Sequence, residues 1–149
     1  MTLSEMLRAA VERAPDTAAV ITERERVTFG ELWTRVEERA AQIASITEPG
    51  ARVAVVAENC TEYVVLYYAI PHAGRILVPL NHRLHPEEWR ATLERSSTTV
   101  LCGERALLER CDTPVDHVIA FDQAPPSPAF VSFNALSVGG LKGCPQRLV

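Results

Sequence analysis

Lysine is almost missing from this chain. Its 15 basic residues are 14 Arg and a single Lys, Lys142. A reaction that needs a lysine must therefore use Lys142 or borrow one from another chain. Basic runs are absent too, and the net charge is −4, so the electrostatic footprint of nucleic-acid binding is missing and no nucleic-acid partner is expected. Aromatic residues make up only 6%. Trp33, Tyr63, Tyr67 and Tyr68 fall at helical packing spacings rather than forming a base-stacking platform. The longest apolar stretch, Tyr63 to Pro71, is far short of the ~20 residues of a membrane span. Met1 to Ala10 already contains Glu5 and Arg8 and lacks the apolar core of a signal peptide. Cys60, Cys102, Cys111 and Cys144 form no C-x-x-C pair and match no zinc spacing. They read as inert thiols, and the chain as a reduced, cytoplasmic, soluble protein.

The usual phosphate cradles are also lacking. There is no G-x-G-x-x-G and no G-x-x-x-x-G-K-[ST]. Gly139-Gly140-Leu141-Lys142-Gly143 has no buried strand before it, no helix signal after it and no Ser/Thr after the Lys, so it reads as flexible tail. His82 and His85 lie three apart with Glu87 and Glu88 nearby, but no metal-ligand spacing is matched. Because His85 precedes Pro86, a helix N-cap or loop position suits it better. No Ser/His/Asp arrangement can be placed. Adjacent carboxylates such as Glu37-Glu38 and Glu87-Glu88 diverge around a helix. No catalytic, cofactor-binding or metal-ligating residue is assigned.

What is present is a scaffold. The chain has 149 residues, 47% hydrophobic and 23% charged, which suits one compact domain. Thr2 with Glu5, and Thr28 with Glu31, form capping boxes that start helices. Ala18 to Thr22 and Arg26 to Thr28 read as short strands around the turn Glu23-Arg24-Glu25. Val53-Ala54-Val55-Val56-Ala57 is a continuous apolar run, the mark of a strand buried on both faces of a parallel sheet. Asn59 is the expected cap of the next helix, with Glu62 as its capping-box partner, and Gly74 fits the C′ position. Ile76 to Val78 is a strand ended by Pro79. Pro86 suits N1 of a further helix. Thr98 to Cys102 is a strand, Arg105 to Cys111 a helix, and His117 to Phe121 a last strand. The order β-α-β-α-β-α-β predicts an α/β fold around a mainly parallel sheet. All 19 acidic residues and 13 of the Arg lie at or before Asp122. The folded part is therefore expected over 1–122, followed by an irregular Pro- and Gly-containing tail over 123–149. In open parallel sheets, ligands bind beyond the carboxyl ends of the strands. The candidates there are Asn59, Asn81-His82 and Cys102-Gly103, each weighed against a plain capping or strand-ending role.

Several segments, in order, resemble one family. They are Pro15-Asp16-Thr17-Ala18-Ala19, Val27-Thr28-Phe29-Gly30-Glu31-Leu32, Pro49-Gly50-Ala51-Arg52-Val53, Glu58-Asn59-Cys60-Thr61-Glu62-Tyr63, Ile70 to Asn81, and Pro86-Glu87-Glu88. Together they look like the N-terminal part of adenylate-forming enzymes: acyl-CoA synthetases, adenylation domains and luciferases. The Pro79-Leu80-Asn81 ending and the Asn59-to-Tyr63 segment are most similar to fatty acyl-CoA synthetases. His85 departs from the small hydroxyl cap usual in relatives. The resemblance implies a partial version of the family's N-terminal domain. It also implies the family's reaction, in which a carboxylate and ATP give an acyl-adenylate and pyrophosphate, and the acyl group then passes to CoA. ATP, Mg and CoA are the ligands so implied. The family's Ser/Thr/Gly-rich loop, Thr-Glu motif, ribose-binding Asp and catalytic Lys all lie beyond the matched region. A truncated fragment, inactive alone and prone to aggregate or to depend on a partner, is therefore expected. The alternatives are a split or regulatory subunit that completes another synthetase chain, a homo-oligomer, or a small-molecule-binding α/β domain.

Overall fold

A computed structural model describes residues 1–112, 115–121 and 131–133. The capping boxes set its first helices. Helix α1 (Leu3–Arg13) starts at Thr2, whose side chain accepts from the Glu5 amide while Glu5 accepts from the Thr2 amide. A β-hairpin of β1 (Ala18–Ile21) and β2 (Arg26–Thr28) follows. Thr28 and Glu31 repeat the reciprocal cap at α2 (Phe29–Ile46). Each box satisfies two amides that a helix start otherwise leaves unpaired.

The rest alternates strand and helix: β3 (Arg52–Val56), α3 (Thr61–His72), β4 (Ile76–Leu80), α4 (Pro86–Arg95), β5 (Val100–Gly103), α5 (Arg105–Leu108), β6 (His117–Ala120) and β7 (Val131–Ser132). The last five strands form one parallel sheet in the order β4-β3-β5-β6-β7. Its alternation sorts the core into two layers. Val53, Val55, Val100, Cys102 and Ile119 face α2 and α3, where they meet Ile43, Leu66 and Ile70. Ala54, Val56, Leu101 and Ala120 face α4 and α5, where they meet Trp89, Leu93, Leu107 and Leu108. Burial on both faces is why β3 reads as an unbroken apolar run. Each fully buried Val there contributes about 1.5–3 kcal/mol. A third cluster joins α1, the hairpin, α2 and α3 through Leu7, Val27, Leu32, Val36 and Val65.

Three features differ from the sequence expectations. The N-cap of α3 is Cys60, not Asn59, and it makes no side-chain capping bond. Strand β4 runs through Pro79 to Leu80 instead of stopping at Val78. Within the described sheet β4 is an edge, where a residue without an amide hydrogen costs no ladder bond. Third, within the 123–149 segment expected to be irregular, Val131 and Ser132 pair with Ile119 and Ala120. Gly74 does sit where expected, with φ +72°, and closes α3. Its amide donates to the Pro71 carbonyl and the Arg75 amide to the Ile70 carbonyl, the two bonds of a Schellman cap.

Candidate functional site

The parallel sheet directs attention to the carboxyl ends of β3, β4 and β5. Asn59 lies there, exposed, one residue before the α3 cap. The Asn81 side chain accepts from the Arg83 amide at 3.0 Å, and its carbonyl accepts from Trp89 Nε1 at 2.8 Å. That residue therefore shapes the turn into α4. His82 is half-buried beside it. His85 caps α4: its Nδ1 accepts from the Glu87 amide at 3.3 Å, and Glu88 accepts from the His85 amide at 2.9 Å. Among the described residues, no three His, Cys, Asp or Glu side chains come close enough to hold a metal. Lys142 and the Gly139–Gly143 segment lie outside the described residues.

Cys102 is fully buried in the core, and burial pushes its thiol far up. It is a packing residue, not a nucleophile. Cys60 sits at the start of α3, where the Tyr63 and Glu62 amides favour a thiolate, but burial outweighs them and its thiol is also raised. Gly103 is dictated by close approach. A Cβ built there would lie 2.5 Å from the Val56 carbonyl oxygen and 2.8 Å from Val56 Cγ1. Just beyond it, Glu104 accepts from the Glu58 amide at 3.2 Å and links the ends of β5 and β3.

A polar line along α2 was not anticipated from the sequence. Arg35 grips Glu25 of the hairpin turn with both terminal nitrogens, at 3.0 and 3.4 Å. This pairing, helped by Thr61, holds the Glu25 carboxyl below its ordinary value. One turn on, Arg39 Nε donates to Glu62 Oε1 at 2.6 Å, and Arg39 Nη1 donates to Gln42 Oε1 at 2.9 Å. Gln42 Nε2 in turn donates to the Phe133 carbonyl at 3.0 Å. At the opposite end of the sheet, Arg75 donates to Thr47 Oγ1 at 2.9 Å and to the Ala44 carbonyl at 3.3 Å. It also reaches the Thr47 and Ala73 carbonyls, so one guanidinium caps the carboxyl ends of α2 and α3.

These features define an α/β scaffold whose described strand ends are shaped by packing and capping groups. Comparison with known proteins gives it a family. The chain belongs to the AMP-binding enzyme family, whose model matches residues 7–137. It is 31% identical, over 98% of its length, to a methyl-dioxo-octahydroindenyl-propanoyl:CoA ligase of Mycobacterium tuberculosis, of which it covers 31%. Its fold matches that of the anthranilate CoA ligase AuaEII, solved with anthranoyl-AMP, with a TM-score of 0.82 at 20% identity, over 88% of this chain and 26% of that one. It also matches a Rhodopseudomonas palustris structure that carries the provisional name long-chain-fatty-acid CoA ligase. There the TM-score is 0.77 at 26% identity, over 92% of this chain and 36% of that one. The chain thus spans about a third of each of these proteins. The fold is the adenylate-forming N-terminal α/β fold expected from the motifs. The family match runs past Asp122, where the sequence reading ends the folded part.

Proposed function

We propose that this chain supplies the N-terminal α/β portion of an adenylate-forming CoA ligase, with a fatty-acid carboxylate as substrate. The family match over residues 7–137 carries the reading. The fatty-acyl assignment rests on the Pro79-Leu80-Asn81 ending and on the similarity to the Rhodopseudomonas palustris structure. In the family reaction a carboxylate oxygen attacks the α-phosphorus of ATP and pyrophosphate leaves. The CoA sulfur then attacks the acyl carbon and AMP leaves. The first step needs cations and donors on the phosphates. The residues assigned above supply structure instead. Asn81 sets a turn, His85 caps a helix, and Cys102 and Gly103 pack. The remainder of the family's fold, on further sequence or on a partner chain in the cytoplasm, then completes the ATP site.

The test is carboxylate-dependent pyrophosphate release with ATP, Mg²⁺ and CoA, over a panel of fatty and aryl acids. The chain alone is expected to stay at background. Joined to the part of the Mycobacterium tuberculosis relative that follows the matched segment, it is expected to turn over fatty acids in preference to aryl acids. Turnover by the pure chain overturns its dependence on the remainder. A preference for aryl acids overturns the fatty-acyl assignment. A folded fusion that binds ATP but activates no carboxylate overturns the ligase reading itself.

A further inference from the structure

Among the described residues, β7 pairs with β6 at two positions, Ile119 with Val131 and Ala120 with Ser132. Two residues of ladder do not make an independently stable strand. Yet Phe133, the next residue, is only 2% exposed and lies in the α2/α3-facing core with Ile43, Leu66, Cys102 and Ile119. Something outside the ladder fixes it there.

The polar line on α2 converges on that residue from two directions. Above its ring, the Arg39 guanidinium lies 4.7 Å from the centroid, within range of a cation–π attraction. At its backbone, the Phe133 carbonyl accepts from Gln42 Nε2 at 3.0 Å. Gln42 is itself 5% exposed, and Arg39 orients it by donating to its Oε1 at 2.9 Å. Arg39 is held in turn by Glu62 of α3 at 2.6 Å. The side chains of Arg39 and Glu62 are only 16% and 18% exposed, so water competes less for this pair than for a surface ion pair. Among the described residues, Glu38 also lies within reach of Arg39, at 3.9 Å and well exposed.

We infer that Glu62, Arg39 and Gln42 form a side-chain latch that docks the 131–133 strand onto a four-stranded body that folds without it. Among the described residues, the latch grips the Phe133 ring and the Phe133 carbonyl. Its release is therefore a local event: β7 detaches while β4, β3, β5 and β6 stay paired. This inference does not depend on the ligase reading, because every contact it uses is within this chain. It makes α2 and the start of α3 the elements that decide whether the fifth strand is seated on the sheet.

Hydrogen–deuterium exchange with peptide resolution tests it on the whole chain. Gln42→Glu removes the donor to the Phe133 carbonyl while keeping an acceptor for Arg39. Arg39→Lys keeps the charge but loses the planar fork that reaches two partners. Each variant is expected to speed exchange in the peptide carrying Val131, Ser132 and Phe133 by about tenfold, with peptides of β3 and β5 changing by less than about twofold. Their combination is expected to add little to either alone. Val36→Ala, in the separate α1/hairpin cluster, serves as the global control and is expected to speed all strands alike. No protection of 131–133 in the unaltered chain overturns the latch. So does acceleration by the latch variants that is uniform across the strands, or no acceleration at all.

Discussion

Replacing Gly103 with Ala is the sharpest single perturbation of the sheet. The new Cβ would stand 2.5 Å from the Val56 carbonyl oxygen, 2.8 Å from Val56 Cγ1 and 3.1 Å from Leu108 Cδ2. Val56 and Gly103 are register partners in two adjacent strands that are not at the sheet's edge. The oxygen that must move also accepts from the Glu104 amide at 3.3 Å. Overpacking of this kind costs about 1–3 kcal/mol, and a lost hydrogen bond about 1 kcal/mol more. The expected loss is about 2–4 kcal/mol, a large part of the roughly 5–15 kcal/mol that holds a domain together. Urea unfolding measures it, with an unchanged m-value and a lower midpoint expected. Gly74→Ala is the matched control. It meets nothing within 4 Å but sits at φ +72°, so it carries backbone strain alone, about 1–2 kcal/mol. Val56→Ala removes Cγ1 but not the carbonyl, so it is expected to rescue Gly103→Ala only slightly. A Gly103→Ala protein within about 0.5 kcal/mol of the parent refutes the close-approach argument. Full rescue by Val56→Ala refutes the backbone as its source.

Other sites give independent checks. Ser97 has φ +50° at the end of α4, so Ser97→Gly relieves a left-handed residue and is expected to stabilise by about 0.5–1 kcal/mol in the same urea titration. Arg75→Ala leaves the carbonyls ending α2 and α3 without their shared donor and is expected to cost about 2–3 kcal/mol. Arg75→Lys, with one ammonium for several acceptors, is expected to recover less than half of that. Glu25 gives a pH signature. Its folded pKa is lowered, first by the Arg35 hydrogen bonds, so its contribution is complete above the ordinary carboxyl value of about 4.3. It is lost as the pH falls through the lower folded value. Glu25→Gln is therefore expected to flatten the acid side of the stability curve and leave stability at pH below the folded value unchanged. An unchanged acid slope contradicts the pairing.

Much of the scaffold was legible because its causes are local. The β3 run announces a two-faced strand through composition alone. Thr2 with Glu5, and Thr28 with Glu31, announce helix starts three residues apart, and His85 before Pro86 proved a cap. What escaped depends on distant partners. Glu62 fits a capping box with Asn59, but α3 begins one residue later, which frees Glu62 to meet Arg39, 23 positions away in sequence. Gly103 looks like any strand end until Val56 is placed beside it. A two-residue strand such as β7 has no period to detect. The family signal was readable because it is spread over six segments. The motifs point to the fatty acyl branch, whereas relatives that match carry the names of an octahydroindenyl-propanoyl:CoA ligase and an anthranilate CoA ligase.

We propose that this chain is the N-terminal part of an adenylate-forming ligase and needs the rest of that fold for chemistry. Carboxylate-dependent exchange of labelled pyrophosphate into ATP isolates the adenylation step from CoA transfer. No exchange above background is expected for the pure, folded chain, and exchange is expected once it is joined to the remaining two thirds of the fold. Carboxylate-dependent exchange by the pure chain would contradict it.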